Sequence, residues 1–298
     1  MTKVLVATDK PFAKVAVEGI RKIVEEAGFE LKLLEKYTEK SQLLEAVADV
    51  DAIIVRSDKI TREVLEAAKN LKIVVRAGAG YDNIDLDAAT EKKVVVMNTP
   101  GQNSNAVAEL VLGMMVYMAR GQFDGKSGSE LMGKKLGLHA YGNVGRNVAR
   151  IAKGFGMEVS AYDPYISAEA IAKEGVKSVC CVNTLFGQNQ YVSLHIPATP
   201  ETVGSINYDL MMSMPKNAVL VNAARGEVIN EADLVKVMQE RADFKYISDI
   251  APNNAAEIAE KFPGRYYFTP KKMGAQTEEA NINAGLAAAA QIRHFIKE

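Results

Sequence analysis

The amino-acid sequence predicts an α/β protein that folds into two domains, each with a doubly wound parallel sheet. Short apolar strand segments alternate with helical segments from Lys3 to about Met97, and the same alternation starts again at Leu136. Strict alternation of this kind is typical of parallel sheets whose strands are joined by helices. A length of 298 residues also suggests about two domains. We therefore expect two sheets of the Rossmann-like or flavodoxin-like kind.

The first domain is predicted from nine segments in strict order. A capping residue and a proline in Thr8-Asp9-Lys10-Pro11 indicate the start of its first helix, and Gly28 indicates the end of that helix. The predicted strands are Lys3–Ala7, Glu30–Leu34, Ala52–Val55, Lys72–Arg76 and Val94–Met97, and the predicted helices are Phe12–Ala27, Gln42–Val47, Arg62–Ala68 and Leu86–Glu91.

The pattern changes near Pro100, where a long apolar helix over Ala106–Met118 and a glycine-rich segment over Gly121–Gly133 precede the second run. An alanine-rich helix, Glu278–Lys297, closes the sequence, and we expect it to pack back on the first domain. The strands predicted for the second domain begin at Leu136 and continue with Met157–Tyr162, Tyr191–His195, Ala218–Asn222, Tyr246–Ile250 and Tyr266–Thr269.

Composition and charge favour a small-molecule partner. The chain has 36 basic and 37 acidic residues, so its net charge of −1 gives no electrostatic reason to expect nucleic acid or an anionic membrane. No apolar run approaches the roughly 20 residues of a membrane span, and the sequence enters a strand directly after Met1 and Thr2. We therefore expect a cytoplasmic protein.

The two cysteines, Cys180 and Cys181, are adjacent in the sequence. Adjacent cysteines suit neither an ordinary structural disulfide nor a four-ligand zinc site, so no metal site is expected. We interpret the pair as reduced and structural, with a redox-active vicinal pair as the alternative.

A glycine-rich turn between Leu136 and Val148 is the central functional motif. Gly142 and Gly145 match the last two glycines of G-x-G-x-x-G, and Ala140 stands in place of the first. The turn joins an apolar strand to a helical pattern, and the first N–H groups of such a helix bind the pyrophosphate of a dinucleotide. The residues expected at this phosphate site are Tyr141, Gly142, Asn143, Val144 and Gly145.

Asp163, which ends the next predicted strand, supports that interpretation. It lies 163 − 145 = 18 residues after the last glycine, close to the spacing of about 20 for an acid that binds the ribose hydroxyls. A carboxylate there accepts from a 2′-hydroxyl and repels a 2′-phosphate, which favours NAD over NADP. A surface aspartate before the proline turn at Pro164 is the alternative.

Five segments, quoted as they stand, resemble the D-isomer-specific 2-hydroxyacid dehydrogenase family. The resemblance covers nearly the whole chain, and the segments occur in the family's order. They are Val-Arg-Ser at 55–57, Arg-Ala-Gly-Ala-Gly-Tyr-Asp-Asn-Ile-Asp at 76–85, Asn-Thr-Pro-Gly-Gln-Asn-Ser at 98–104, Ser-Leu-His-Ile-Pro-Ala-Thr-Pro-Glu-Thr at 193–202 and Val-Asn-Ala-Ala-Arg-Gly-Glu-Val-Ile at 221–229.

The resemblance implies that a hydride passes between NAD and C2 of a hydroxy acid, with 3-phosphoglycerate as the expected substrate. Arg225 matches the family's catalytic arginine, whose guanidinium can fork onto the carboxylate and carbonyl oxygens of the oxo acid. Asp249 matches the aspartate near the nicotinamide carboxamide, with a strand-end capping role as the alternative. The other residues expected by resemblance to line the cofactor are His195, Pro197, Thr202 and Ala223.

The sequence departs from the family pattern at the acid/base residue. The usual histidine after Thr269-Pro270 is absent, the position of its partner glutamate falls on or near Asn254, and the chain has only three histidines, none at that place. Lys271 or Lys272 then takes the proton-transfer role, with a slight preference for Lys272, as in a lysine-type subset of short family members without a regulatory domain. The alternative is a nucleotide-binding sensor that has lost catalysis.

Donors to the substrate are expected from the first domain. By resemblance they are Arg56 and Ser57 together with backbone N–H groups around Ala77, Gly78 and Ala79. A solvated surface charge is the alternative role for Arg56.

The resemblance also implies a division of labour between the domains. We expect residues 1–98 and 275–298 to form a discontinuous substrate-binding domain and residues 99–274 to form the NAD-binding domain, with the active site in the cleft between them. A homodimer is expected from the family. A relative that acts on glyoxylate, hydroxypyruvate or D-lactate is the competing enzyme interpretation.

Overall fold

The computed structural model describes all residues from Met1 to Glu298 and divides into two compact units. The first unit comprises Met1–Asn103 and Gln276–Glu298, and the second comprises Ser104–Ala275. These boundaries lie five residues and one residue after the predicted ones, because the turn before the long apolar helix stays with the first unit.

The first unit is a five-stranded, fully parallel sheet in the order β2-β1-β3-β4-β5. Its central strands are apolar on both faces because helices cover both sides. The strands are β1 (Lys3–Thr8), β2 (Glu30–Glu35), β3 (Ala52–Val55), β4 (Ile73–Arg76) and β5 (Val95–Asn98), and the helices are α1 (Lys14–Glu26), α2 (Lys40–Ala46), α3 (Arg62–Ala67), α4 (Leu86–Glu91) and, after the second unit, α12 (Glu278–Lys297).

Helix α12 completes the first unit, as the sequence predicted, by packing beside α1. Its buried residues Ala284, Ala288 and Ile292 belong to the same apolar cluster as Val6 and Ile20. Two glycines allow this close approach, since a Cβ on Gly285 would lie 3.1 Å from the Cδ1 atom of Ile20 and one on Gly19 would lie 2.4 Å from the Cδ2 atom of Leu286. The first unit is therefore discontinuous in sequence, because its last helix follows the whole of the second unit.

The second unit is a seven-stranded parallel sheet in the order β12-β11-β10-β9-β6-β7-β8. The buried apolar face of the long helix Ser104–Ala119 packs on one side of this sheet. The strands are β6 (Lys135–His139), β7 (Glu158–Tyr162), β8 (Lys177–Ser178), β9 (Tyr191–Leu194), β10 (Val219–Asn222), β11 (Lys245–Ser248) and β12 (Tyr266–Phe268). The helices are α5 (Ser104–Ala119), α6 (Asn143–Gly154), α7 (Ala168–Lys173), α8 (Val182–Gln188), α9 (Tyr208–Ser213), α10 (Glu231–Glu240) and α11 (Ala255–Lys261).

The strand register brings distant loops to one edge of the second sheet. His139 of β6 pairs with Tyr162 on one side and Leu194 on the other, and Leu194 pairs with Asn222. Strand order reverses between β6 and β9, and ligands of such sheets bind outside the carboxyl ends at this point. The loops that carry nearly all the predicted cofactor and catalytic residues therefore follow one row of paired positions.

No helix of the structure combines the length and the apolar character that a membrane crossing requires.

Candidate active site

The glycine-rich turn adopts the predicted strand-to-helix geometry. Strand β6 ends at His139, and α6 begins at Asn143 with Gly142 as its N-cap. Ala140 has a φ of 83°, a left-handed conformation that glycine adopts most easily. The alanine that replaces the first glycine of the motif therefore keeps the backbone shape that a glycine would give.

The two remaining glycines suit a pyrophosphate site in different ways. One allows the helix to pack closely on the turn, and the other leaves space for the phosphates. A Cβ on Gly145 would lie 2.5 Å from the carbonyl oxygen of Ala140, so only glycine lets the helix pack this closely on the turn. A Cβ on Gly142 would meet nothing within 4 Å and would extend into open space at the N-terminus of α6. Because α6 presents free N–H groups there, the turn fits the phosphates of a dinucleotide.

Asp163 connects the turn to the loop after β7. One carboxylate oxygen accepts from the backbone N–H of Tyr141 at 2.8 Å, and the other accepts from that of Tyr165 at 2.8 Å. Each carboxylate oxygen can accept a further hydrogen bond, so Asp163 can still receive a ribose hydroxyl. The Tyr141 side chain is buried and its hydroxyl bonds to Glu174, so only its backbone faces the turn.

Two histidines lie at the ends of neighbouring strands below this turn. The ring Nε2 of His195 lies 3.0 Å from the hydroxyl of Ser193, and its backbone N–H donates to the carbonyl of His139 at 2.9 Å. Burial lowers the pKa of His139 to about 4, and burial together with His139 lowers the pKa of His195 to about 3. Both rings are therefore neutral near pH 7.

The loop after β9 is held by Thr202. Its hydroxyl donates to the carbonyl of Pro197 at 2.6 Å and accepts from the backbone N–H of Thr199 at 2.7 Å. The residues predicted to line the cofactor here thus form one braced loop beside the glycine-rich turn.

The loop after β10 is shaped by Asn222, a buried residue that sequence reasoning did not single out. Its side-chain oxygen accepts from the N–H of Ala224 at 3.0 Å, and its amide donates to the carbonyl of Arg225 at 2.9 Å. These two bonds fix the turn through Ala223 that presents Arg225. The signal available in the sequence was an asparagine at the end of a predicted apolar strand, three residues before the arginine.

Lys272 lies beside Arg225. The ammonium of Lys272 donates to the carbonyl oxygen of Ala224 at 2.8 Å, and Nη1 of Arg225 donates to the same oxygen at 3.0 Å. Lys271 and Lys272 are both exposed as residues, but Lys271 makes no hydrogen bond or ion pair within the chain, whereas the ammonium of Lys272 is partly buried. The structure therefore brings together the predicted arginine and one of the two predicted lysines.

The surroundings of Lys272 lower the pKa of its ammonium. Burial is the main cause that lowers the pKa of its ammonium, and the positive charge of Arg225 lowers it further. Asp249 and Glu227 act in the opposite direction. The net direction is downward, which is the direction a lysine needs to lose its proton near physiological pH.

Asp249 holds the segment that carries Lys272. One carboxylate oxygen accepts from the hydroxyl of Thr269 at 3.1 Å and the N–H of Met273 at 2.8 Å, and the other accepts from the N–H of Gly274 at 2.8 Å. Asp249 is 2% exposed, so these bonds form away from water. Its predicted contact with the nicotinamide stays a prediction, whereas the bracing of this turn was not anticipated.

Asn254, which stands near the place of the usual glutamate, does not pair with any histidine. Its amide donates to the carbonyl of Glu231 at 3.0 Å, and its side-chain oxygen is buried without a partner.

In the first unit, Arg56 is engaged within the protein. Its guanidinium donates to the carbonyl of Lys10 at 3.0 Å and to the side chain of Asn281 at 2.8 Å, and it lies 5.3 Å from the ring centre of Phe12. Ser57 is exposed beside it. Arg56 has remaining donors for a substrate, but its position is set by α12 as well as by β3.

The backbone donors expected in the next loop need a correction. The N–H of Ala77 donates to the carbonyl of Val55 at 2.8 Å, and that of Gly78 donates to the carbonyl of Arg76 at 2.9 Å, so both are used inside the unit. The N–H of Ala79 has no partner within the chain. Arg76, a residue of the quoted motif that was not singled out, packs its guanidinium over Gly78, where a Cβ would lie 1.5 Å from it.

A parallel sheet with a glycine-rich turn, an aspartate at the next strand end and two cationic side chains along one edge is typical of dinucleotide-dependent enzymes. Residues 106–265 match the family described as D-isomer specific 2-hydroxyacid dehydrogenase, NAD binding domain. The chain belongs to the D-isomer specific 2-hydroxyacid dehydrogenase family. The resemblance seen in the sequence and the fold class are confirmed, and NAD, the predicted cofactor, is that of the matching domain.

Three similar proteins illustrate the relationship. A D-3-phosphoglycerate dehydrogenase of Methanocaldococcus jannaschii is 39% identical over 100% of this chain and 58% of its own length. A hydroxypyruvate reductase of Thermotoga maritima is 40% identical over 69% of this chain and 70% of its own length. The NAD⁺-bound crystal structure of 3-phosphoglycerate dehydrogenase from Entamoeba histolytica has a TM-score of 0.85 and 47% identity, covering 100% of this chain and 96% of that one. The chain thus spans little more than half the length of the methanogen protein.

Proposed function

We propose that this protein oxidises 3-phosphoglycerate to 3-phosphohydroxypyruvate with NAD, and that Lys272 replaces the family's histidine as acid and base. The observation that supports this proposal best is the shared carbonyl of Ala224, which holds Arg225 and Lys272 side by side. Two relatives named for 3-phosphoglycerate support the choice of substrate. The reaction would open serine biosynthesis.

The two cations have distinct roles in this proposal. Arg225 is exposed, so its free N–H donors can fork onto the carboxylate and the C2 oxygen of the substrate. Lys272, as the neutral amine, accepts the proton of the C2 hydroxyl during oxidation, and as the ammonium it returns that proton during reduction. NAD, when bound, accepts the hydride that leaves C2. The positive charge of Arg225 also stabilises the negative charge that develops on the C2 oxygen during proton removal.

The first unit supplies the phosphate donors in this proposal. Arg56 and Ser57 follow β3, and the unpartnered N–H of Ala79 follows β4 at the same carboxyl edge of the sheet. Arg76 is a further candidate, since its guanidinium lies over Gly78. A substrate placed between the two units stays a prediction from the family resemblance.

Single substitutions at the two lysines test the acid/base assignment. We expect Lys272→Ala to lower kcat with 3-phosphoglycerate by roughly 10²- to 10⁴-fold, the usual contribution of a general base. Lys271→Ala is the matched control, and we expect its kcat to stay near that of the unaltered protein. NADH binding should be retained in both variants. A large loss in Lys271→Ala alone would transfer the role to that residue, and full activity in both would reject a lysine base.

A second candidate is reduction of hydroxypyruvate or another small 2-oxo acid, which the match to the Thermotoga protein favours. Turnover of phosphorylated and unphosphorylated acids, each with NADH and NADPH, separates the two. Preference for the phosphorylated pair with NADH supports our proposal, whereas preference for the unphosphorylated acids supports the second candidate. Binding of NADH without turnover of any acid would instead support the sensor interpretation.

The homodimer and the cytoplasmic location stay predictions from the family resemblance and the composition.

A further inference from the structure

The adjacent cysteines form a two-thiol cluster outside the residues used above. Cys180 and Cys181 lie in the turn between β8 and α8, and both are free thiols. Cys180 is exposed and Cys181 is partly buried. Their sulfur atoms are 3.6 Å apart, and the hydroxyl of Thr184 lies 3.4 Å from the first and 3.2 Å from the second. Both sulfurs are thus turned to the same side of the turn.

The spacing of the sulfurs suits a shared ligand atom better than a disulfide. Consecutive Cα atoms across a trans peptide are about 3.8 Å apart, below the range of about 4.4–6.8 Å seen in ordinary disulfides. Two sulfurs bound at about 2.3 Å to one pyramidal trivalent atom, whose bond angles are about 90–100°, are roughly 3.3–3.5 Å apart. The observed 3.6 Å is close to this second range.

We infer that Cys180 and Cys181 form a binding site for monosubstituted trivalent arsenic compounds. Such an arsenic atom has one valence occupied by carbon and two left for sulfur, which matches the two thiols. No group of three or more histidine, cysteine or acidic side chains is arranged to hold a metal ion, so a zinc ion would lack ligands here. The hydrogen bond from Thr184 lowers the pKa of the Cys181 thiol, which increases the nucleophilic thiolate.

The chemistry is a condensation without electron transfer. Two S–H bonds break and two S–As bonds form, while the oxygen of the arsenoxide leaves with both protons as water. Arsenic stays trivalent throughout, so neither an oxidant nor a reductant is required.

The cluster lies next to the cofactor edge of the second sheet. Ala161 of β7 pairs with Ser178 of β8, and both Asp163 and Cys180 lie two residues beyond these paired positions. Val182, just after the cysteines, packs against the same apolar cluster as Ala140 of the glycine-rich turn. A bulky group on the two sulfurs therefore stands beside the loop of Asp163 and hinders binding of the adenosine end of the dinucleotide.

Intact-mass measurement with phenylarsine oxide tests the site. The whole protein is kept reduced with a phosphine, and we expect one phenylarsenic group per chain. A dithiol should remove this group, whereas an equal thiol concentration of a monothiol should not. Cys180→Ser and Cys181→Ser serve as controls for each other, and each should lose the monothiol-resistant adduct. An unmodified wild-type chain, or a resistant adduct on either variant, would overturn the inference.

Titration with NADH, followed by fluorescence, tests the position of the site. We expect the adduct to weaken NADH binding about tenfold, and the two serine variants without reagent to bind NADH as the wild type does. An adduct that leaves the NADH affinity unchanged would refute the proposed hindrance. Neither measurement uses turnover, so both are independent of the proposed substrate.

Discussion

At the scale of single residues, the carbonyl of Ala224 positions the two cationic side chains of the candidate site. It accepts from both Arg225 and Lys272, which places two cations within hydrogen-bond distance of one neutral oxygen. The like charge and the burial together lower the pKa of Lys272. The downward shift thus comes from partial burial and a like charge, whereas the nearby acidic side chains oppose it.

The pH dependence of turnover follows from this shift. Because the pKa of Lys272 lies below its ordinary value of 10.5, the amine needed for oxidation becomes available at lower pH than for a free lysine. We expect oxidation to rise to an alkaline plateau and reduction to fall over the same range, measured as kcat against pH in both directions. An optimum for oxidation at about pH 6.5 would indicate that a histidine, and not Lys272, transfers the proton.

Glu227→Gln is a matched test of the same assignment. Glu227 raises the pKa of Lys272, so its neutralisation should move the rising limb of the oxidation profile to lower pH. Glu227 is exposed, so this shift should become smaller at high ionic strength. A limb that does not move at low salt would argue that another group titrates.

The two glycines of the cofactor turn should respond differently to alanine. In Gly145→Ala the new Cβ meets the carbonyl of Ala140 at 2.5 Å, so we expect a loss of roughly 1–3 kcal/mol in the free energy of unfolding. In Gly142→Ala the Cβ meets nothing within 4 Å, so stability should be kept while NADH binds about tenfold more weakly. Urea unfolding and NADH titration of both variants provide the measurements. Unchanged NADH affinity in Gly142→Ala would contradict a phosphate site there.

At the scale of elements, two buried polar side chains shape the loops that carry the chemistry. Asn222 holds the loop after β10, and Asp249 holds the loop after β12 with three hydrogen bonds. Both lie at strand ends, where the sheet fixes the backbone, so their hydrogen bonds hold the loops in fixed positions relative to the sheet. Exact placement of Arg225 and Lys272 thus depends on residues that need not touch a ligand.

Asp249→Asn tests this bracing. The amide offers one acceptor oxygen where the carboxylate offers two, so at least one of the N–H groups of Met273 and Gly274 loses its partner. We expect a loss of about 1–3 kcal/mol in the free energy of unfolding and a fall in kcat. The exposed Asp209→Asn should change stability by less than about 0.5 kcal/mol. Equal stability of the two variants would show that the turn holds without Asp249.

The elements themselves were largely predictable from the sequence, whereas the bracing was not. Buried parallel strands such as β3 and β10 are short continuous apolar runs bounded by turn residues, and their alternation with helical segments indicates the fold. The left-handed Ala140 was not predicted, because alanine carries no local signal for that conformation. The donors to Asp249 and the acceptor of the Ala77 N–H lie at least 20 residues away in the sequence, so no local pattern predicted these bonds.

At the scale of the whole molecule, the return of α12 to the first unit is the main feature. Its small buried residues leave room for α1, and Ala288 is fully buried between the helix and the sheet. The sequence suggested this return through an alanine-rich helix, but it did not give the contact partners. The first unit is therefore complete only when the last helix has been made.

Matched leucine substitutions in α12 test this packing. Ala288→Leu adds three carbon atoms to a closely packed site, so we expect a loss of about 1–3 kcal/mol in the free energy of unfolding. Asn283→Leu adds the same side chain at an exposed position and should change stability by less than about 0.5 kcal/mol. Urea unfolding followed by circular dichroism gives both values. Similar losses in the two variants would contradict the packing of α12 against the first sheet.

The two cations on one carbonyl also bear on how the site meets its environment. A neutral oxygen satisfies their hydrogen bonds without cancelling their charge, which the carboxylates of Asp249 and Glu227 offset in part, so the candidate site has a local positive potential. A carboxylate that binds here compensates the positive charge. The positive potential therefore attracts the carboxylate before any hydrogen bond forms. We therefore expect small inorganic anions such as phosphate to compete with a carboxylate for this place.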